Sequence, residues 1–409
     1  MKILVSAYAC EPNKGGEMGN GYNMVLNMAE LGHEVWCLTS TYHISEEVQS
    51  FFRDHPHPNL NFVLVPLPSW VDVFFEYELG FYVHYLYWQK KAYQVAKKLE
   101  AEKDFDIVHH ITIGSPQLGS ALWRLNKKMV FGPCGGGQDA PKAFKKYFYH
   151  WWKLEIVRTW ISKLLLAFNK DAKKTLRNAE LVLTTNYETL DLVRDIGAPN
   201  AQLFLDTSLP EEFFPEEFPE RSRGEKLRIL WVGRLFPRKG LPLVLEALSK
   251  VNPDIPFELT ILGDGQMGSF MEEWLTEFDL KDKVDWRGMV PWADVREAYL
   301  THDLFMFTSL RDSSAFQYLE AMACGLPILT LDLHGAKSLV PDGAGIKVPV
   351  TTPDETAAIL AKGVEDLYHD PAQCEAYGRY AYEFALTQTW KNKARKISAH
   401  YESFFDLVK

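Results

Sequence analysis

Two charged clusters in the C-terminal half of this 409-residue chain have the residue types and spacing to hold a phosphorylated ligand. The first is Gly233-Arg234 to Lys239-Gly240. It follows an apolar stretch from Arg228 to Val232 that reads as a strand and precedes an apolar-periodic helix from Leu241 to Val251, so both cations fall on the connecting loop. Arg contributes a planar donor fork and Lys a point charge, a pair suited to a diphosphate. The second cluster runs from Asp312 to Glu320. A strand pattern from Leu304 to Ser309 leads to Ser313 and Ser314, either of which is positioned to cap a helix carrying Phe316 to Cys324. The first amides of that helix would face solvent or an anion. Asp312 before the cap and Glu320 inside the helix are expected roughly 9 to 12 Å apart, at about 1.5 Å per residue, which matches a sugar at one end and a ribose at the other.

In this order, Gly233-Arg234 to Lys239-Gly240, Leu262-Gly263-Asp264-Gly265, the pair Asp312 and Glu320, and Glu320-Ala-Met-Ala-Cys-Gly325 resemble the retaining glycosyltransferases of family 4. Gly15-Gly16-Glu17 and Trp390 also fall where that family has equivalents, so the resemblance covers essentially the whole chain. It implies an α/β protein of the GT-B fold, two Rossmann-like doubly wound domains facing across a cleft. It also implies a hexose transfer from a nucleotide sugar, UDP-glucose before GDP-mannose, to a saccharide or lipid-linked saccharide acceptor in envelope or extracellular polysaccharide synthesis. Arg234, Lys239, His110 and Asp312 would be the catalytic set. Gly16, Glu17, Gly233, Gly263, Asp264 and Gly265 would line the donor, together with Met289, Ser313, Ser314, Ala315, Phe316 and Glu320. In that scheme Glu320 accepts from the ribose hydroxyls, and Trp286-Arg-Gly-Met-Val290 lines the base through its backbone. The nucleotide sugar is a substrate, and neither a cofactor nor a metal is expected.

Some of these residues have competing readings. The family more often has Glu at position 312, so the shorter Asp312 is read either as a sugar contact or as a helix cap. Gly263-Asp264-Gly265 is also an ordinary turn. Gly15 to Gly21 has the wrong spacing for a dinucleotide fingerprint, and no acidic residue ends the next strand. His109 and His110 close the strand beginning at Ile107, which would set at least one of them at the open end, with a core histidine as the alternative. After the following strand, where the family often has a functional histidine, the chain reads Phe131-Gly-Pro-Cys-Gly-Gly-Gly-Gln138. Asp104-Phe-Asp106 precedes a first-half strand and reads as a surface turn.

The remaining sequence sets bounds on this picture. A chain of this length exceeds one hydrophobic core. Its 47% hydrophobic and 24% charged residues are those of a folded globular protein. A net charge of −10 argues against nucleic acid as a partner and leaves phosphate contacts to local cations. Five scattered cysteines fit a reducing compartment, and the apolar start Lys2 to Ala9 is too short for a secretory signal, so a cytoplasmic protein is expected.

Strand and helix patterns alternate through Lys2 to Ala9, Glu34 to Thr39, Asn61 to Val65, Ile107 to Ile111, Lys128 to Phe131 and Leu181 to Thr185. A Pro- and charge-rich stretch from Pro210 to Glu225 reads as a linker, followed by a second alternation from Leu227. The expected domains are 1–215, 216–385 and a terminal helix at 386–409 that, by the resemblance, returns to the first domain. Residues 142–177 interleave lysines with aromatic and aliphatic side chains. This stretch is either a core helix with a solvated face or a contact to the inner face of an anionic membrane. Trp70 to Trp88 has a similar aromatic character.

Overall fold

In a computed structural model that describes residues 1–41, 46–73 and 80–406, the chain forms two compact units. One comprises residues 1–137, 160–208 and Trp390 onward; the other comprises residues 138–159 and 209–389.

The first unit is built on a seven-stranded parallel sheet: β1 Lys2–Ser6, β2 Glu34–Ser40, β3 Leu60–Val65, β4 Ile107–His110, β5 Lys128–Cys134, β6 Leu181–Thr184 and β7 Ala201–Leu203, in the order β3-β2-β1-β4-β5-β6-β7. The β1 sequence Lys-Ile-Leu-Val-Ser is apolar without interruption because both faces of a parallel sheet are covered. Its side chains alternate between two cores. Ile3 and Val5 pack with Val25, Met28, Ile397 and Tyr401, whereas Leu4 packs with Leu38, Tyr85 and Trp88. The helix Trp390–Asp406 therefore belongs to this unit and lies against the helix Gly16–Glu30.

The second unit has a six-stranded parallel sheet: β8 Leu227–Val232, β9 Phe257–Leu262, β10 Val284–Trp286, β11 Leu304–Phe307, β12 Ile328–Leu331 and β13 Gly345–Val348, in the order β10-β9-β8-β11-β12-β13. The helix Leu241–Leu248 after β8 is buried along its whole length.

Most strands match the sequence reading to within a few residues. β7 and β13 lie outside it, being short strands at a sheet edge with one polar residue each, Gln202 and Lys347. The domain bounds expected from sequence differ from the observed division chiefly at residues 138–159, which pack with the second unit. The cause is a set of polar anchors on both sides. Glu246 accepts from Lys146 at 2.8 Å and Tyr147 at 3.0 Å, Trp274 Nε1 donates to Tyr149 at 2.6 Å, and Arg311 meets Glu155 at 2.5 Å. Of the aromatic stretch from Trp70 to Trp88, residues 74–79 lie outside the described residues.

Candidate active site

In an open parallel sheet the strand order reverses at one point, and the loops leaving the carboxyl ends of the two strands there splay apart to leave a crevice. In the second unit that point lies between β8 and β11. The loop after β8 carries Gly233, Arg234 and Lys239, and the loop after β11 carries Asp312 to Ala315. The two charged clusters of the sequence thus flank one crevice.

Backbone bonds lock these loops to each other. Leu310 N donates to Arg238 O at 2.8 Å, and Thr308 Oγ1 donates to Gly240 O at 2.9 Å. The loop after β9 joins from the other side, with Leu235 N donating to Asp264 O at 3.1 Å and Gly263 N to Gly288 O at 2.7 Å. Gly263 has φ +131°, and a Cβ there would lie 1.9 Å from Gly233 O, so only glycine allows this approach. The loop holding Met289 is placed by the same contact and by Trp286 Nε1 donating to Gly263 O at 2.9 Å; Met289 itself is exposed. Asp264 Oδ1 accepts from Gly265 N at 2.7 Å, so its side chain is part of the turn.

The charges are arranged unequally. Asp312 is engaged at both oxygens: Oδ1 accepts from Arg238, and Oδ2 accepts from Lys239 Nζ at 2.5 Å and Ser309 Oγ at 2.8 Å. Burial alone would raise the Asp312 pKa, but the Lys239 and Arg238 charges outweigh it and hold the carboxyl below its ordinary range. Lys239 is buried, and desolvation lowers its pKa against the opposing pull of Asp312. Arg234 is exposed and, among the described residues, has no carboxylate partner. Of the two expected diphosphate cations, then, one is open to a ligand and the other is shared with Asp312.

The helix that follows is Phe316–Ala323, with Ala315 at its N-cap and no side-chain capping bond. The expectation that Ser313 or Ser314 caps it is corrected here, as is capping by Asp312. The helix begins at Phe316 as expected, but Asp312 is held away from it by Lys239 and by Gly335 N donating to Asp312 O at 3.1 Å. The distance expected from a continuous rise between Asp312 and Glu320 does not apply for the same reason. Ser314 Oγ is buried without a hydrogen-bond partner, and the first-turn amides lack a cap. Phe316 opens the helix. Glu320, on its second turn, accepts from Tyr299 Oη at 3.0 Å and, among the described residues, pairs with no cation; burial raises its pKa against that hydrogen bond. A carboxylate with so few donors has acceptor capacity to spare.

The sequence reading missed two participants. Arg238, next to Lys239, takes half of Asp312. Its place beside Lys239 is the one signal the sequence holds for it. Glu155 is buried and pairs with Arg311 at 2.5 Å and Arg158 at 3.0 Å. Burial, followed by repulsion from Arg158, brings the Arg311 guanidinium down to about 10. No signal joins positions 155 and 311 in the sequence.

The first unit presents a different set. The helix Gly16–Glu30 begins at Gly16 with Gly15 as N-cap, so the glycines expected in a loop lie mostly within the helix. Gly21 is one reason: a Cβ there would lie 2.1 Å from Ala9 O. Glu17 accepts from Ile113 N at 3.2 Å. Its carboxyl is pushed up to about 7, first by desolvation and then by the nearby Asp206. His109 and His110 are both fully buried, which corrects the expectation of an open ring at the strand end. His109 lies between Tyr401 Oη at 2.6 Å and Gly132 O at 2.7 Å, and His110 Nε2 is 3.0 Å from Tyr85 Oη. Burial lowers their pKa values to about 4 and about 3. Asp104 pairs with Lys127 at 2.6 Å and Asp106 accepts from Lys2 N at 2.8 Å, the bonds of a surface turn.

These motifs and this topology agree with known proteins. Residues 213–384 match the family of group 1 glycosyl transferases. That region holds every residue of the β8 and β11 loops. D-inositol 3-phosphate glycosyltransferase of Paenarthrobacter aurescens is 30% identical over 231 residues, 53% of this chain and 55% of that protein. A phosphatidylinositol N-acetylglucosaminyltransferase component of Arabidopsis thaliana is 28% identical over 174 residues, 42% of this chain and 38% of that protein. The chain thus spans roughly half or less of each relative's length. Sucrose-phosphate synthase of Thermosynechococcus elongatus superposes with a TM-score of 0.67 at 17% identity, covering 99% of both chains. The fold of two parallel-sheet Rossmann-like domains is the GT-B fold.

Proposed function

We propose that this protein is a retaining hexosyltransferase that moves a hexose from a nucleoside diphosphate donor to a hydroxyl acceptor. The observation that carries the reading is the crevice between β8 and β11. Its loops carry an Arg234 that is exposed and without a carboxylate partner among the described residues, a buried Lys239 and an uncapped helix start, and Glu320 on that helix has acceptor capacity to spare. Arg234 and the amides of Phe316 and its neighbours would receive the diphosphate, with Lys239 turning from Asp312 toward it. Bound diphosphate would favour the ammonium form that burial disfavours. Glu320 would accept from the ribose hydroxyls, and the exposed Met289 loop would border the base.

In the reaction the bond from the anomeric carbon to the phosphate oxygen breaks, and a bond from the acceptor oxygen to that carbon forms on the same face. The acceptor proton passes to the departing phosphate oxygen. The chain's contribution is orientation together with stabilisation of the charge that builds on the leaving diphosphate. Retention follows the family resemblance, as does the donor order of UDP-glucose before GDP-mannose. The acceptor is proposed to be a saccharide or lipid-linked saccharide of envelope or extracellular polysaccharide, glycosylated in the cytoplasm. The inositol phosphate and phosphatidylinositol named for the two relatives support a hydroxyl acceptor close to a phosphate.

Purified protein incubated with UDP-glucose, GDP-mannose, UDP-N-acetylglucosamine and other nucleotide sugars tests this directly. Released nucleoside diphosphate from one of them, slow without acceptor, is the expected result. Intact donors throughout, in the presence of saccharide and lipid-linked acceptors, would leave only a non-catalytic sugar-nucleotide binder. Donor conversion without diphosphate release would point to an epimerase.

A further inference from the structure

Among the described residues, large apolar side chains stand exposed in two neighbourhoods that the fold brings onto one helix pair. The first is the helix Trp152–Phe168. Its exposed positions recur at helical spacing, Val157, Trp160, Leu164 and Phe168, and Trp160 and Phe168 are 64% and 78% exposed. The usual arrangement of a surface helix is inverted, with apolar side chains toward solvent. The helix has one carboxylate, Glu155, and that group is buried against Arg311 and Arg158. Its solvent face therefore carries only positive charge, from Lys153 and Lys163.

The second neighbourhood is the helix Gly80–Lys103, where Val83 and Leu86 are exposed one turn apart and Lys90 continues the stripe. Trp70 lies against it, 5.5 Å from Tyr87 between ring centroids, and is 58% exposed. Leu165 of the first helix packs into the same core cluster as Tyr85 and Trp88 of the second, which makes the two helices neighbours.

An apolar face of this extent with cationic side chains at its edge fits one kind of partner. Aromatic and aliphatic groups enter the headgroup and acyl boundary while lysine ammoniums remain among lipid phosphates. No helix among the described residues is long and apolar enough to cross a membrane, so any contact by these helices would lie along the surface. We propose that residues 160–168 and the helix Gly80–Lys103 form a docking face for an anionic phospholipid bilayer, with Trp160, Leu164 and Phe168 as its apolar anchors. This deepens the transferase reading by supplying a surface on which a lipid-linked acceptor is presented. It rests on the transferase reading only for that purpose.

Cosedimentation of the full chain with phosphatidylcholine vesicles, with and without phosphatidylglycerol, is the test. Binding is expected to the mixed vesicles, and much more weakly to the neutral ones. The double variant Trp160→Glu/Phe168→Glu is expected to weaken binding at least tenfold, and Lys163→Glu about fivefold. Both change exposed side chains, so thermal midpoints should stay at the wild-type value. Diphosphate release with a soluble acceptor should be unchanged as well, which separates failure of this proposal from failure of the transferase reading. Equal binding to both vesicle types, no binding to either, or wild-type self-association that the double variant abolishes would each overturn it. The last result would mean that a second copy covers the face.

Discussion

The two sheets reverse strand order in the same way, yet the buried ionisable groups beside the two reversals are accommodated differently. Beside β8 and β11, the buried Lys239 and the half-buried Arg238 and Arg311 sit against Asp312 and Glu155, which offset the cost of withdrawing them from water, while Arg234 remains exposed. Beside β1 and β4, His109 and His110 are fully buried and neutral at pH 7, held by tyrosine hydroxyls and a backbone carbonyl in place of a counter-charge. One topology has therefore produced a cation-rich crevice in one unit and a pair of buried neutral imidazoles in the other. What separates them is the supply of counter-charges from neighbouring loops.

The sharpest way to break this contrast is to take away a counter-charge. Glu155→Ala leaves the Arg311 guanidinium buried and unpaired, and a loss of about 3 kcal/mol is expected, read from denaturant unfolding. Partial recovery in the swapped pair Glu155→Arg/Arg311→Glu would tie the loss to charge rather than to shape. Next in size is Arg234→Ala. The kcat/KM for the donor should fall on the order of 10²-fold, while stability changes by less than about 0.5 kcal/mol because the side chain is exposed and unpaired. Turnover within tenfold of wild type would contradict the proposed donor site.

Acid sharpens the comparison from the other side. Both histidines have folded pKa values below the ordinary 6.5, so between those values the unfolded chain binds more protons. Stability should be flat from this source above pH 6.5. Below it, the loss should be about 1.4 kcal/mol per pH unit for each group until its folded pKa is passed. His110→Phe should remove one proton's share of that slope in thermal unfolding. The smallest effect is expected from Glu320→Gln. Burial raises the Glu320 pKa, so the charged form becomes a growing cost as pH rises above 4.5. The variant should be at least as stable at neutral pH, and its KM for the donor should rise while kcat stays close to wild type.

Much of the proposed donor site is legible in the sequence because its parts are local. Arg234 and Lys239 follow a strand whose apolar run is unmistakable, and Glu320 sits in a helix that is otherwise apolar. What the sequence could not supply was the partner of each charge. Asp312 looked like a cap or a sugar contact because nothing local reveals that Arg238 and Lys239, more than seventy residues upstream, close on it. Chain order puts residues 138–159 in the first domain, and only the contacts to Glu246, Trp274 and Arg311 show that they pack with the second unit. For the histidines the sequence leaves an open ring and a core ring as alternatives, and the structure shows the core ring for both. A strand end is open or closed according to the side chains that lean over it, here Tyr85, Tyr401 and Phe131.

A crystal structure with a nucleoside diphosphate bound tests the central claim most directly. The account predicts phosphate oxygens within hydrogen-bond distance of Arg234, the amides at the start of Phe316–Ala323 and Lys239, with Glu320 on the ribose. A nucleotide bound elsewhere, or these two cations turned away from its phosphates, would contradict it.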